Sequence, residues 1–426
     1  MLVKKLAVLS LILSLTSAAT DGPWNILGQT GYAGEIEVNT TTGSSLFYWM
    51  FQSIGGNIQT DTRPLVIWLP GGPGCSLGLG MLGQRYSPFY VDNNGVPYFN
   101  NLTWALRVHI LSVDFPYGAG YSSPTNWNDW VTNTQQGVSL FINFLDVLQI
   151  KYPAWFNRNI YIVGQDFAGM FVPAIANQIH INNRNLTPGH SGYIDLVGIA
   201  LGDAWINGAY QSLYYDTFTY NQGLVNRDQM AEITTLENYI VGNASNPVAA
   251  YVAFQNLNAY IEETTGNVNT LNYREYNSDN LGNLAAFFGN AAYKSELNVP
   301  SNVQWTECSS AIYNNLTSNI FVSQAGVLAT VLGYMKVLVY SSQDDLLINS
   351  MGTQTVLRSL NWEGTNDFLA ARRGVWNVAG NIAGYSQTYS SLTYVQILKS
   401  GLGIGLDQTL NTRDMLYRFI FNQGWN

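Results

Sequence analysis

Six short apolar runs rich in Val, Ile and Leu punctuate a chain otherwise dominated by Asn, Tyr, Ser and Thr: 65–68, 108–113, 160–163, 197–201, 336–340 and 393–398. None alternates polar with apolar residues as a half-exposed strand does, and each leads into a turn of small or polar residues. That is the pattern of parallel strands buried on both faces. Helical periodicity fills gaps between the runs, at 137–148 and 173–180. Strands alternating with helices predict an α/β domain, a mostly parallel central sheet with helices on both faces. Ligands of such sheets lie beyond the carboxyl ends of the strands, where these turns fall. Between about 206 and 305 the strand rhythm stops. This Tyr-, Asn- and Glu-rich stretch reads as an inserted helical cap on a single domain spanning 20–426.

The first residues break the pattern. Lys4 and Lys5 precede the apolar run 6–15, and Thr16, Ser17, Ala18 and Ala19 supply small residues for cleavage. This is the organisation of a secretory signal peptide over 1–19, with a buried N-terminal helix as the competing reading. The run would cover only about 15 Å as a helix, half a bilayer core, and no later run is longer, so no membrane span is expected. A secretory route, ending outside the cell or in a lysosome or vacuole, gives meaning to the Asn-x-Ser/Thr sequons at Asn39, Asn101, Asn185, Asn243 and Asn315. In an Asn-rich chain several of these candidate glycosylation sites arise by chance. The same route bears on Cys75 and Cys308, which form one disulfide closing a long loop or remain two free buried thiols. The disulfide would contribute about 5 kcal/mol in the chain-entropy account.

Hydrophobic residues make up 47% of the 426, ample for a large core, while charged residues are only 11%. An ordinary soluble domain has roughly 25% charged residues, so here amides and hydroxyls must supply the polar surface. A net charge of −9 with no basic run argues against nucleic acid or an anionic membrane as partner. Two cysteines and three histidines, at 109, 180 and 190, leave no material for a zinc module or a His-based metal site. No metal or other cofactor is expected.

The most informative turn follows the third run. Gly164-Gln165-Asp166-Phe167-Ala168-Gly169 stands between a strand and a helix-ready Met-Phe-Val-Pro. Strand, small-residue turn and helix make the nucleophile elbow of α/β-hydrolases. The residue at its centre is Asp166 rather than Ser, and Asp tolerates the positive φ an elbow demands better than most residues.

Around this elbow the chain resembles the serine carboxypeptidase family over nearly all of its mature length. The family's W-x-N-G-G-P-G-C-S appears as Trp68-Leu69-Pro70-Gly71-Gly72-Pro73-Gly74-Cys75-Ser76, and its D-x-P-x-G-x-G-[FY]-S as Asp114-Phe115-Pro116-Tyr117-Gly118-Ala119-Gly120-Tyr121-Ser122. Its G-E-S-Y-A-G-x-[YF]-V-P becomes Gly164-Gln165-Asp166-Phe167-Ala168-Gly169-Met170-Phe171-Val172-Pro173. The segment 336–352 is similar to the motif holding the family's catalytic aspartate, which falls on Asp345, with Asn349 at the following Asn. Where the family reads A-G-H-M-V-P-x-D-Q-P, this chain has Ser400-Gly401-Leu402-Gly403-Ile404-Gly405-Leu406-Asp407-Gln408-Thr409, so Leu402 stands at the histidine position. No histidine follows His190, whereas the hydrolase order is nucleophile, acid, then His. The resemblance thus implies a triad with only Asp345 retained.

It further implies an oxyanion hole built by the backbone amides of Gly72 and Phe167. The family's grip on a peptide carboxylate maps to Pro70, Gly71, Gln84 and Gln165. A Gln in place of an acid keeps a donor at every pH, so residual carboxylate binding is expected to depend little on pH. Acyl transfer needs a base to take the nucleophile's proton and return it to the leaving amine, and Leu402 can do neither. The expectation is therefore a catalytically inactive homologue that binds a peptide or protein, with Asp166 and Asp345 raising each other's pKa through desolvation and repulsion. Two enzymatic readings stand beside it. One is a serine-type carboxypeptidase or acyl-transfer hydrolase with a non-standard base. The other is an Asp nucleophile attacking an alkyl carbon, as in haloalkane dehalogenases, with no His to hydrolyse the ester.

Overall fold

The computed structural model describes residues 21–275 and 280–425. The leader expected over 1–19 lies outside them. Thirteen strands occur among the described residues: β1 (Asp21–Ile26), β2 (Gln29–Asn39), β3 (Ser44–Phe51), β4 (Leu65–Leu69), β5 (Phe89–Val91), β6 (Pro97–Phe99), β7 (His109–Val113), β8 (Ile160–Gln165), β9 (Leu196–Gly202), β10 (Lys336–Ser342), β11 (Gly374–Val378), β12 (Asn381–Tyr389) and β13 (Leu392–Ile397). Eleven form one sheet in the order β1-β2-β3-β7-β4-β8-β9-β10-β13-β12-β11, and β5 and β6 make a separate hairpin. The six predicted runs are β4, β7, β8, β9, β10 and β13, and they pair parallel with one another across the centre.

Burial explains why these runs carry no alternation. Every residue of β4, β7 and β8 is buried, because successive side chains enter two different cores. Leu65, Ile67 and Ile162 face one core with Phe141, Phe144 and Ile175, from helices Thr134–Lys151 and Val172–Asn183. Val66, Trp68 and Tyr161 face the other, with Met415, Leu416 and Phe419 from helix Thr409–Ile420. Helices thus cover both faces of the sheet. The antiparallel flanks β1–β3 and β11–β12 escaped the apolar-run reading, since β2 and β12 mix buried with exposed positions.

Both edges of the sheet are engaged. On β1, which carries Pro23, the Asn25 amide donates to Glu296 at 3.1 Å and the Gly22 carbonyl accepts from Asn298 at 3.3 Å. On β11 the register shifts between Trp376 and Asn377, and Arg418 donates to the Asn377 carbonyl at 3.4 Å.

Between β9 and β10 the described residues are helical or irregular, including helices Arg227–Gly242 and Pro247–Thr265. Cys75, in the loop after β4, is joined to Cys308 of this insertion by a disulfide with an S–S distance of 2.01 Å. Backbone hydrogen bonds flank it, from Ser76 to Glu307 at 2.7 Å and from Ser309 to Gly74 at 3.0 Å.

Candidate active site

The site gathers at the carboxyl ends of β4, β8, β9 and β10. Strand β8 stops at Gln165, and Asp166 follows with φ 53°, turning the chain into a short 3-10 turn and then helix Val172–Asn183. Small neighbours are obligatory. A Cβ on Gly164 would lie 2.6 Å from the Val172 side chain, and one on Gly169 would lie 2.6 Å from the Trp205 carbonyl oxygen. The elbow geometry survives the change from Ser to Asp.

Beside it, β4 runs parallel to β8 with Leu69 opposite Gly164, so the turn after β4 brings Gly72 alongside the elbow. Gly72, at φ 116°, donates its amide to Asp166 Oδ2 at 2.6 Å, and the adjacent Phe167 amide favours the ionised carboxylate. Of the two amides expected to form an oxyanion hole, that of Gly72 therefore holds the protein's own side chain. Closing in from the same turn, a Cβ on Gly71 would sit 2.4 Å from Asp166 Oδ2. Burial pushes the Asp166 carboxyl up to about 6, against the pull of the two amides.

Asp345 is fully buried beyond β10. Its Oδ1 accepts from the Ile348 amide at 2.9 Å, while Oδ2 has no protein partner. An ionised carboxylate in that state would be costly, and burial holds the Asp345 pKa well above the ordinary range. After burial the next influence is Asp203, and Asp166, the neighbour expected from the sequence, adds a smaller push in the same direction. Asp203 follows β9 at φ 37°, is fully buried, and accepts from the Ser342 amide at 2.7 Å and the Ser342 hydroxyl at 2.5 Å. Burial raises it to about 7. Sequence reading missed Asp203, although its place at the carboxyl end of a predicted strand was the available signal.

The expected carboxylate-grip positions are partly turned inward. The Gln165 amide donates one of its two N–H groups to the Leu402 carbonyl. The Gln84 Oε1 accepts from the Tyr86 hydroxyl at 2.6 Å. Pro70 is buried and offers no donor, and the Gly71 carbonyl accepts from the Cys75 amide at 3.1 Å. Leu402 is tied by its own amide to the Leu271 carbonyl at 2.8 Å.

All three histidines are engaged elsewhere. His109 opens β7, level with Ile160 across β4, so it stands about 20 Å down the sheet from Asp166 at the usual strand rise. There it accepts from the Ser53 amide at 3.0 Å and bonds Asp61 at 2.8 Å. The His180 ring stacks on Tyr334 with centroids 3.7 Å apart, and His190 is exposed. Of the sequon asparagines, Asn101 and Asn185 are exposed and Asn39, Asn243 and Asn315 are half-buried. The Asn39 amide donates to Asp129 at 2.9 Å.

Above Asp166 opens a cleft of about 170 Å³ whose walls include Trp205, Phe254, Tyr313 and Leu347. Among the described residues no group of acidic, His or Cys side chains could hold a metal ion, and no helix is long and apolar enough to cross a membrane.

The central strand order, the two-sided helical cover and the elbow after β8 define an α/β-hydrolase. Within that class the model of the serine carboxypeptidase family matches residues 22–422, and the chain belongs to that family. It is 26% identical to serine carboxypeptidase 3 of Oryza sativa subsp. japonica over 408 residues, covering 92% of this chain and 80% of that protein. It is likewise 26% identical to the probable serine carboxypeptidase CPVL of Mus musculus over 418 residues, covering 95% and 85%. The crystal structure of Kex1, a prohormone-processing carboxypeptidase from Saccharomyces cerevisiae, superposes with a TM-score of 0.80 at 23% identity over 92% of each chain.

Proposed function

We propose that this protein is a catalytically inactive member of the serine carboxypeptidase family that travels the secretory route, to the exterior or to a lysosomal or vacuolar lumen, and acts by binding a peptide or protein ligand. One observation carries the reading: the Asp166 carboxylate accepts the Gly72 amide that the expected oxyanion hole would need. A tetrahedral intermediate needs that amide free for its oxyanion, and it needs a nucleophile with a base beside it. Here the nucleophile position holds an acid, the base position holds Leu402, and each imidazole is engaged or lies elsewhere. Loss of triad members in a serine hydrolase costs on the order of 10⁶-fold. The competing reading, a working carboxypeptidase releasing C-terminal residues, is supported by family membership alone.

The test is direct. The purified protein should show no labelling by a fluorophosphonate and no release of the C-terminal residue from an N-blocked dipeptide at acid or neutral pH. Turnover that survives repurification to constant specific activity would overturn the proposal.

A further inference from the structure

The cleft over Asp166 is poorly suited to the anionic ligand its fold would suggest. Of the candidate donors, the Gly72 amide is held by Asp166 and one N–H of the Gln165 amide by the Leu402 carbonyl. The Trp205 indole, which also lines the cleft, donates to the Ile320 carbonyl at 2.7 Å. Among the described residues no Lys, Arg or His lines the cleft, and no ion pair reaches Asp166, Asp203 or Asp345.

Acceptors are well supplied. A carboxylate offers about four lone-pair sites, and the Gly72 amide leaves most of the set unfilled on Asp166, which lines the cleft. Asn258, from helix Pro247–Thr265, brings a second acceptor, a buried Oδ1 with no protein partner. The walls between them are aromatic. Trp205 and Phe254 are buried with ring centroids 5.3 Å apart, and Tyr313 lines the same cleft. Aromatic faces over an anionic floor attract a desolvated cation.

The geometry points to a binding site for an organic ammonium ion, with its N–H groups directed at Asp166 and the Asn258 Oδ1 and its carbon skeleton against Trp205, Phe254 and Tyr313. This deepens the ligand-binding reading and rests on it, replacing recognition of an anionic peptide end by recognition of an amine. The cleft's volume suits a basic side chain or a small aryl-alkyl amine, not a folded partner. At neutral pH and above, Asp166 is on the ionised side of its pKa of about 6.

Three probes of matched shape separate the possibilities: benzylammonium, benzyl alcohol and phenylacetate, titrated calorimetrically into the intact protein at about pH 7.5. Benzylammonium should bind at least about tenfold more tightly than benzyl alcohol, and phenylacetate more weakly than either. Asp166→Asn keeps a side chain that tolerates positive φ and should erase the difference between amine and alcohol. Asn258→Leu, away from the elbow, should weaken the amine and not the alcohol. Equal affinity for amine and alcohol, tighter phenylacetate, no binding of any of the three, or an amine preference untouched in both variants would overturn the assignment. Dipeptide turnover would sink the non-catalytic reading whatever the probes do. A failed ranking in a protein that turns nothing over removes only the ammonium assignment.

Discussion

Asp166 concentrates the argument in one side chain. At φ 53° it adopts the strained conformation of an elbow, yet its carboxylate folds back onto the amide of Gly72. Asp166→Ser should free that donor and supply a hydroxyl, and still leave no base to activate it. We expect no release of C-terminal residues by this variant above background. Adding Leu402→His should raise the rate by at least about tenfold over the single variant, because nucleophile and base act as a unit. An active single variant would mean that a group other than an imidazole accepts the proton. Much of this was legible in the sequence: the elbow spacing, the absent serine and the missing late histidine need only residue types and order. What the carboxylate does was not, since hydrogen bonds between β8 and the turn after β4 depend on their lateral register. Asp203 was missed for the same reason, because the chain places it more than a hundred residues from Asp345 while β9 and β10 lie side by side.

At the scale of elements, the segment between β9 and β10 is fastened to the loop that carries Gly72. The Cys75–Cys308 disulfide closes 233 residues, and the bridges Ser76–Glu307, Gly74–Ser309 and Gly120–Thr306 continue the contact. A cross-link over so long a loop restricts the unfolded chain strongly, and removing a native disulfide typically costs about 2–5 kcal/mol. Cys75→Ser with Cys308→Ser should lower the denaturant midpoint accordingly with the unfolding slope little changed. An unaltered midpoint would show that the backbone bridges alone hold the insertion. The strands themselves were readable because parallel strands with two buried faces leave uninterrupted apolar runs. The flanking strands β2 and β12 were not, because they mix buried with exposed positions, while β3, buried throughout with the apolar run 46–51, was legible and passed over.

For the whole molecule, buried acids set the response to pH. Burial raises Asp166 to about 6, Asp203 to about 7 and Glu237 to about 7, and holds Asp345 well above its ordinary value. An acid whose pKa is higher in the folded state holds its proton there when the unfolded chain has released it. Its contribution to stability is complete below the unfolded value near 4 and is lost as pH rises through the folded value. His109, lowered by burial, works in the opposite direction but only below its ordinary value of 6.5. Thermal midpoints should therefore fall between about pH 6 and pH 8. Asp203→Asn, which keeps an acceptor for Ser342, should flatten that fall. A midpoint constant or rising over this interval would contradict the reading of these carboxyls.

The sheet's margins bear on how such a molecule can meet a partner. A peptide commonly joins a protein by lying along an open strand and extending the ladder, and exposed margins also seed aggregation. Here Pro23 withholds a donor from one margin and Glu296 and Asn298 satisfy its neighbours, while a bulge and Arg418 interrupt the other. With β-augmentation obstructed on both sides, these rims offer no open ladder for an extended peptide to join.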